Sequence, residues 1–290
     1  MVEMGTRSAS ITMKDVTIII PVYTLQLRPV ERLALRRTFD VMGGRDCAFV
    51  VPRSLSEGGL HALMARVTEG LPSVDYRVEA FDDAYFAGRE GYNRLMTSAD
   101  LYRRFADTRW VCVVQTDVLL LRDDLDVWLD SPYDYVGAPW LPDAREVCGF
   151  YPLHRLEWAL RRLWAQVMPG FHAVNLKYCV GNGGFSLRRV SKFARLAESF
   201  AQRFAQANAQ ADRTENFEDV LWSVMVNRWQ PGALNVAPWQ EALRFSWESH
   251  PDYASRLTQG SLPMGAHAFF RKRNRRFWQN EIRALQAHTP

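Results

Sequence analysis

Apolar positions along the chain fall into short continuous runs that alternate with helical stripes. Asp15-Val-Thr-Ile-Ile-Ile-Pro-Val-Tyr23 is a β-branched stretch ending at proline, which predicts a strand buried on both faces. Val30 to Phe39 follows with helical spacing. Cys47-Ala-Phe-Val-Val-Pro52 reads as a second buried strand, Leu60 to Val67 as a helix and Tyr76 to Phe81 as a third strand. Gly91 to Phe105 predicts one helix, with Leu95, Ala99, Leu101, Tyr102 and Phe105 along one side. Trp110-Val-Cys-Val-Val-Gln-Thr-Asp117 carries the strongest strand signal in the chain. Strands alternating with helices imply an α/β fold, with a mainly parallel sheet and right-handed crossovers that leave helices on both faces. Ligands on such sheets bind beyond the carboxyl ends of the strands. Tyr23 and Asp117 stand at two such ends.

The second half is less regular. Tyr133 to Pro139 reads as a short strand and His154 to Val167 as an amphipathic helix rich in Arg and Trp. Val180 to Leu187 mixes glycines with strand formers, and Val190 to Ala205 and Phe217 to Trp229 read as helices. Residues 1–14 are polar and predict a flexible arm; residues 15–290 predict a single domain without repeats or low-complexity linkers.

Composition adds limits. The 290 residues are 48% hydrophobic. A chain of this length can bury roughly three quarters of its unfolded surface. The net charge of +4 is modest and does not ask for nucleic acid. The basic run Arg271, Lys272, Arg273, Arg275, Arg276 reads either as a solvated helix start or as contact with an anionic partner such as a phosphate or lipid headgroup. Cys47, Cys112, Cys148 and Cys179 form no C-x-x-C pair, and the first two sit in apolar runs as reduced core residues. Met1 to Lys14 lacks the apolar stretch of a secretion signal, and no segment approaches the about 20 apolar residues that span a bilayer. A cytoplasmic protein is expected.

Four stretches could carry chemistry. Gln115-Thr-Asp117 brings an acid out of a buried strand, where it needs a partner. A hard divalent cation is one candidate and an arginine such as Arg122 is another. Gly181-Asn-Gly-Gly-Phe-Ser-Leu-Arg188 is neither a Walker loop nor a dinucleotide fingerprint. Its glycines suit a tight turn or a wall that approaches a sugar ring closely, with Asn182 supplying a polar contact. In Asn216-Phe-Glu-Asp219 the asparagine reads as a helix cap and the acids as first-turn residues, or one carboxylate faces a pocket as a general base. His267, in Pro263-Met-Gly-Ala-His-Ala-Phe269, is a core histidine or, if it faces Asp117, a metal ligand whose other ring nitrogen needs an outer partner.

In this order, Tyr92-Asn-Arg-Leu-Met-Thr-Ser98, Val114-Gln-Thr-Asp117, Tyr133-Asp-Tyr-Val-Gly-Ala-Pro-Trp140, Val180-Gly-Asn-Gly-Gly-Phe-Ser-Leu-Arg188, Glu218-Asp-Val220 and Gly265-Ala-His-Ala-Phe269 resemble the DUF5672 family, glycosyltransferase-like proteins of the GT-A nucleotide-sugar group. The resemblance covers roughly residues 15 to 270 and implies a GT-A-like domain. Its first half, 15–140, would bind the nucleotide-sugar and its second, 141–290, the acceptor. It implies donor contacts from Pro21, Val22 and Tyr23 at the first strand end and from Tyr92, Asn93 and Arg94 on the helix before the acidic motif. Gln115, Thr116 and Asp117 would meet nucleotide, diphosphate and metal, with Gln115 standing where the family group usually has a first acid. Asn182, Gly183, Gly184 and Trp140 would line the sugar and acceptor site. His267 matches a late metal ligand, and Glu218-Asp219 the place of the base.

The implied reaction is transfer of a sugar from a UDP- or GDP-sugar to a glycan or lipid-linked hydroxyl. Mn²⁺ or Mg²⁺ would assist, with inversion and with Asp219 preferred over Glu218 as base. Acceptor choice is expected in Asp143 to Tyr178, where Arg155, Trp158, Arg161, Arg162 and Trp164 would suit a glycan or the surface of an inner membrane. The rival readings are a non-catalytic sugar-nucleotide or glycan-binding protein and a nucleotidyltransferase. The latter would want a Gly- and Lys-rich loop that Pro21-Val-Tyr-Thr-Leu-Gln26 does not offer.

Overall fold

The first β-branched run forms β1 (Lys14–Pro21), starting one residue before the expected strand. Ile18, Ile19 and Ile20 are all buried. Both faces are covered because β1 is central: β2 (Asp46–Pro52) and β4 (Thr108–Val114) pair with it in parallel, Ile18 lying opposite Cys47 on one side and Cys112 on the other. Full burial of each such side chain contributes roughly 1.5–3 kcal/mol. β3 (Arg77–Phe81) adds the parallel edge. β9 (Phe185–Arg189) pairs antiparallel with β4, and β6 (Tyr135–Val136) antiparallel with β9. The order β3-β2-β1-β4-β9-β6 is thus parallel through its first four strands.

Local chemistry sets the flanking helices. Pro29 opens α1 (Pro29–Met42), and Arg28 N–H donates to Glu31 Oε2 at 2.7 Å across its first turn. Ser56 caps α2 (Glu57–Val67), its hydroxyl accepting from Gly59 N–H at 3.1 Å. The single helix expected over Gly91 to Phe105 is instead two, α3 (Gly88–Thr97) and α4 (Ala99–Arg104). Ser98 divides them: its backbone is extended, and its hydroxyl donates to Leu95 O at 2.8 Å and accepts from Leu101 N–H at 3.2 Å. A short hydroxyl side chain competes with the helix ladder in this way. The helix expected over Val190 to Ala205 also divides, into Val190–Ser199 and Ala201–Asn208. Phe200 leaves helical geometry there, and its ring packs against Trp229, centroids 5.4 Å apart. The stretch Glu218 to Trp229 is helical as expected, with a π turn over Leu221–Met225.

The computed structural model describes residues 13–142 and 176–287. The helix expected over His154 to Val167, with Arg155, Trp158, Arg161, Arg162 and Trp164, lies outside them, as do Cys148 and nearly all of the expected arm. Cys47 and Cys112 are buried free thiols, and burial pushes the Cys47 thiol up to about 12. Among the described residues no helix is long and apolar enough to cross a membrane.

Two small sheets complete the core and carry the site. The expected strand Tyr133 to Pro139 splits at Gly137, where a Cβ would lie 1.8 Å from Gly181 O. β6 joins the large sheet, while β7 (Ala138–Pro139) pairs with β8 (Val180–Gly181). The chain turns after β4, with Val118 N–H donating to Gln115 O at 3.0 Å, into β5 (Val118–Leu120). β5 forms a three-stranded sheet with β11 (Gly265–His267) and β10 (Ser246–Trp247), in the order β10-β11-β5. Leu119, Trp247, Ala266 and Phe269 from this sheet region pack with Trp278 of the C-terminal helix Lys272–Ala287.

Candidate functional site

The register of the three-stranded sheet places three titratable groups in one row. His267 ends β11 opposite Val118, the first residue of β5, so it stands beside Asp117. Trp247 of β10 lies opposite Ala266, so the next residue, Glu248, stands on the other side of His267. His267 Nε2 is 3.2 Å from Asp117 Oδ1, and Nδ1 is 3.3 Å from Glu248 Oε1. The Nδ1 contact is off the hydrogen-bond line. Burial acts against a charged imidazole, yet the two carboxylates outweigh it and push His267 up to about 10. His267 in turn holds Asp117 and Glu248 below the usual carboxylate range, against the opposing effect of burial. The segment after His267 is tied to the same place: Ala268, at φ 52°, donates its N–H to Asp117 O at 3.0 Å.

Gly183 and Gly184 bring a second charged cluster alongside. Gln115 N–H donates to Gly184 O at 2.9 Å. A Cβ on Gly184 would lie 2.4 Å from His267 Nε2, and one on Gly183 would lie 1.5 Å from Glu218 Oε1. Here glycine is required for close approach, and the residue with left-handed backbone is Asn182, at φ 72°. Asn182 is 1% exposed; its Oδ1 accepts from Gly184 N–H at 3.0 Å, and among the described residues its Nδ2 has no acceptor. The acids that follow differ. Glu218 is buried and its Oε2 lies 3.0 Å from Nη2 of Arg188, itself 0% exposed. Arg188 also donates to Ser186 Oγ at 3.0 Å and Tyr102 Oη at 3.1 Å. Burial outweighs the pull of Arg188 and pushes Glu218 up to about 7. Asp219 is half-buried; its Oδ2 accepts from Gly183 N–H at 3.3 Å and its Oδ1 from Val220 N–H at 2.9 Å. Its carboxyl is raised, by burial first and by Glu248 next.

The other expected site residues separate into two groups. Tyr92 meets the end of β4, its hydroxyl accepting from Gln115 Nε2 at 2.8 Å. Asn93 is buried and serves the second cluster: Nδ2 donates to Asn216 O at 3.1 Å and Oδ1 accepts from Glu218 N–H at 3.2 Å. Residues two apart on a helix point about 200° apart, and Arg94 accordingly stands off from Tyr92, exposed, over the Tyr85 ring at 5.6 Å. Pro21 and Val22 are buried at the end of β1, while Tyr23 is 65% exposed. Thr116 lies half-buried in the turn before Asp117. Trp140 packs its ring on Gly181, where a Cβ would meet Cη2 at 1.8 Å, and its N–H donates to Cys179 O at 2.9 Å. Sequence reasoning missed Glu248 altogether and did not foresee that Arg188 is a buried partner of Glu218. The spacing of Ser186 and Arg188, two apart and so on one face of a buried strand, was the available signal.

If a divalent cation bound here, Asp117 and His267, 3.2 Å apart, are the side chains that would hold it. Two ligands of one ion with bonds near 2.1 Å sit roughly 3 Å apart, comparable to the separation here. Among the described residues no three His, Cys, Asp or Glu side chains are grouped to hold an ion. Any further ligands of such an ion would have to come from outside this pair, such as phosphate oxygens or water.

Comparison with solved structures identifies the architecture. The galactosyltransferase LgtC, solved with donor and acceptor sugar analogues, aligns with a TM-score of 0.55 at 14% identity, covering 94% of this chain and 96% of that one. Mouse xyloside xylosyltransferase 1 aligns with a TM-score of 0.50 at 13% identity, over 87% and 97% of the two chains. The glycosyltransferase GlyE of Streptococcus pneumoniae TIGR4 aligns with a TM-score of 0.50 at 12% identity over 93% of this chain, which spans only 60% of GlyE. By sequence, no curated protein matches. A family of proteins of unknown function, DUF5672, matches residues 75–267. That is more than half of the chain and includes both charged clusters, so this protein belongs to the DUF5672 family, on a fold it shares with GT-A-type glycosyltransferases.

Proposed function

We propose that this chain is a glycosyltransferase that moves a sugar from a nucleoside-diphosphate donor, a UDP- or GDP-sugar, to a hydroxyl of a glycan or lipid-linked acceptor. One observation carries the reading: Gly183-Gly184 joins the Asp117–His267 pair to Asp219 at the carboxyl ends of the parallel strands, where such sheets bind ligands. Asp117 and His267 would hold Mn²⁺ or Mg²⁺. When bound, that ion supplies Lewis-acid neutralisation of charge on the departing diphosphate. Tyr23, exposed at the end of β1, and Gln115, held by Tyr92, face the nucleotide. Asn182, whose Nδ2 has no acceptor among the described residues, offers it to a sugar hydroxyl. Asp219 is the base, because it is the more accessible acid of the pair and its raised carboxyl suits proton acceptance from a weak nucleophile. Glu218, locked against Arg188, holds the wall of the site. A basal mechanism with inversion follows if the acceptor attacks from the Asp219 side.

A second reading, a non-catalytic sugar-nucleotide-binding protein, is favoured by one observation. Protonated His267 already lies between Asp117 and Glu248 and offsets one of their two negative charges without any ion. Thermal unfolding against UDP- and GDP-sugars, with and without Mn²⁺, tests both. A ligand at about 100 times its Kd stabilises by about 2.7 kcal/mol. The transferase reading expects a Mn²⁺-dependent shift with one donor, lost in Asp117→Ala, and slow release of nucleoside diphosphate. A shift indifferent to Mn²⁺ and without turnover points to the binding protein.

A further inference from the structure

We propose that Glu248 is the positioning residue for His267, holding its imidazole so that Nε2 faces Asp117 and a divalent cation shared with it; this rests on the metal-assisted reading above. The argument starts from register. β10 pairs in parallel with β11, and β11 pairs antiparallel with β5, so Glu248, His267 and Asp117 form one row across the rim of the sheet. The two ring nitrogens of an imidazole point away from each other, so Glu248 at Nδ1 and Asp117 at Nε2 occupy opposite sides of the ring. Glu248 is therefore placed as an outer partner and not as a third ligand to an ion on the Nε2 side.

The surroundings hold this orientation. Glu248 Oε1 is 3.3 Å from Nδ1, within ion-pair distance, and it is the acid that faces this side of the ring. The ring lies against Gly184, where any side chain would collide with Nε2, Cδ2 and Cε1. Behind Glu248, buried Asn274 donates Nδ2 to Glu248 O at 2.6 Å and to Ala268 O at 3.2 Å, tying the two strand ends together. A carboxylate at Nδ1 fixes which nitrogen carries the proton, and it penalises a ring flip that would turn carbon toward Asp117. Histidine ligands of metals ordinarily donate their second N–H to such a partner, and losing it weakens metal affinity about 10- to 100-fold.

The test is Mn²⁺ binding followed by electron paramagnetic resonance, with pyrophosphate present, on the full chain. The parent is expected to take up Mn²⁺, and Glu248→Gln to bind it about 10- to 100-fold more weakly. Glu248→Asp, which keeps the charge but withdraws the oxygen by one methylene, is expected to bind more weakly than the parent too, and it carries the test if the Gln variant does not fold. Co²⁺ at saturation supplies the readout that a merely structural role leaves unchanged: the visible band from imidazole coordination should weaken in Glu248→Gln. A folded variant with parental Mn²⁺ affinity and an unchanged Co²⁺ band overturns the role of Glu248 and leaves the metal-assisted reading standing. No Mn²⁺ uptake by the parent overturns that reading, and the role of Glu248 with it.

Discussion

Two charged clusters meet across Gly183-Gly184, and they treat their carboxylates in opposite ways. On one side Asp117 and Glu248 flank His267 in a row set by strand register, and both carboxyls are held low. On the other, Glu218 is sealed against Arg188 and its carboxyl is driven up by burial. The first cluster keeps ionised groups near solvent, side chains 10–20% exposed. The second encloses its charge where nothing from outside reaches it. Asp219 belongs to the second cluster by sequence but not by burial, since it is half-buried and, among the described residues, its carboxylate accepts only from backbone N–H groups. The difference teaches that adjacency in sequence is a poor guide to role. Glu218 is locked into the fold by Arg188, and Asp219 is the more accessible acid of the two.

The largest effect should come from breaking the sealed cluster. Arg188→Ala removes a fully buried guanidinium with partners at Glu218, Ser186 and Tyr102, and leaves a cavity. Removing one member of a buried pair costs about 3–5 kcal/mol, so urea unfolding should show a loss of that size. A loss below about 1 kcal/mol would mean that the pair is not what holds Gly183 and the helix at Glu218 in place. Asp219→Asn should do the reverse. It should cut turnover about 10²- to 10⁴-fold, the usual contribution of a positioned base, while donor binding and unfolding stay near those of the parent. Retained turnover in Asp219→Asn would move the base elsewhere and erase the contrast between the two acids.

How much of this was legible beforehand follows from where each signal resides. The parallel half declared itself, because strands buried on both faces must be continuous apolar runs: Ile18 to Ile20 and Val111 to Val114 are such runs and lie side by side in the sheet. The sequence offered Asp117 and His267 as a pair only on the condition that they face each other, and the sheet that joins them consists of strands two or three residues long. Strands that short have no periodicity to read. Glu248 was invisible for the same reason, since its importance is a matter of register between β10 and β11. The helix breaks at Ser98 and Phe200 were missed because apolar spacing continues through them; at Ser98 a hydroxyl cap interrupts the backbone, and at Phe200 the ring packs against Trp229. Glu218 and Asp219 could not be separated because neighbours on a helix differ by about 100°, and only packing decides which one turns inward.

The smallest effect sharpens the comparison most, because it depends on sign. Burial raises Glu218 from 4.5 to about 7 in the folded protein. A group raised in this way binds its proton more tightly when folded, so its contribution to stability is present below about 4.5 and is lost as pH rises through 7. Glu218→Gln keeps the shape and an oxygen for Arg188 but has no proton to lose. Its deficit in melting temperature relative to the parent should therefore shrink between pH 4.5 and 8, by at least about 2 °C. Asp46, where β2 meets Lys14, Thr17 and Arg77, supplies the control of opposite sign. Burial acts to raise its carboxyl, but those three partners hold it low, so its contribution is present above 3.8 and is lost as pH falls. Asp46→Asn should flatten the acid limb slightly and leave the neutral range unchanged, as expected of a partly exposed ion cluster. A deficit for Glu218→Gln that grows with pH would mean that Arg188 keeps Glu218 ionised throughout. Glu218 would then stand beside Asp219 as a second ionised acid, and the division of labour between them would have to rest on exposure alone.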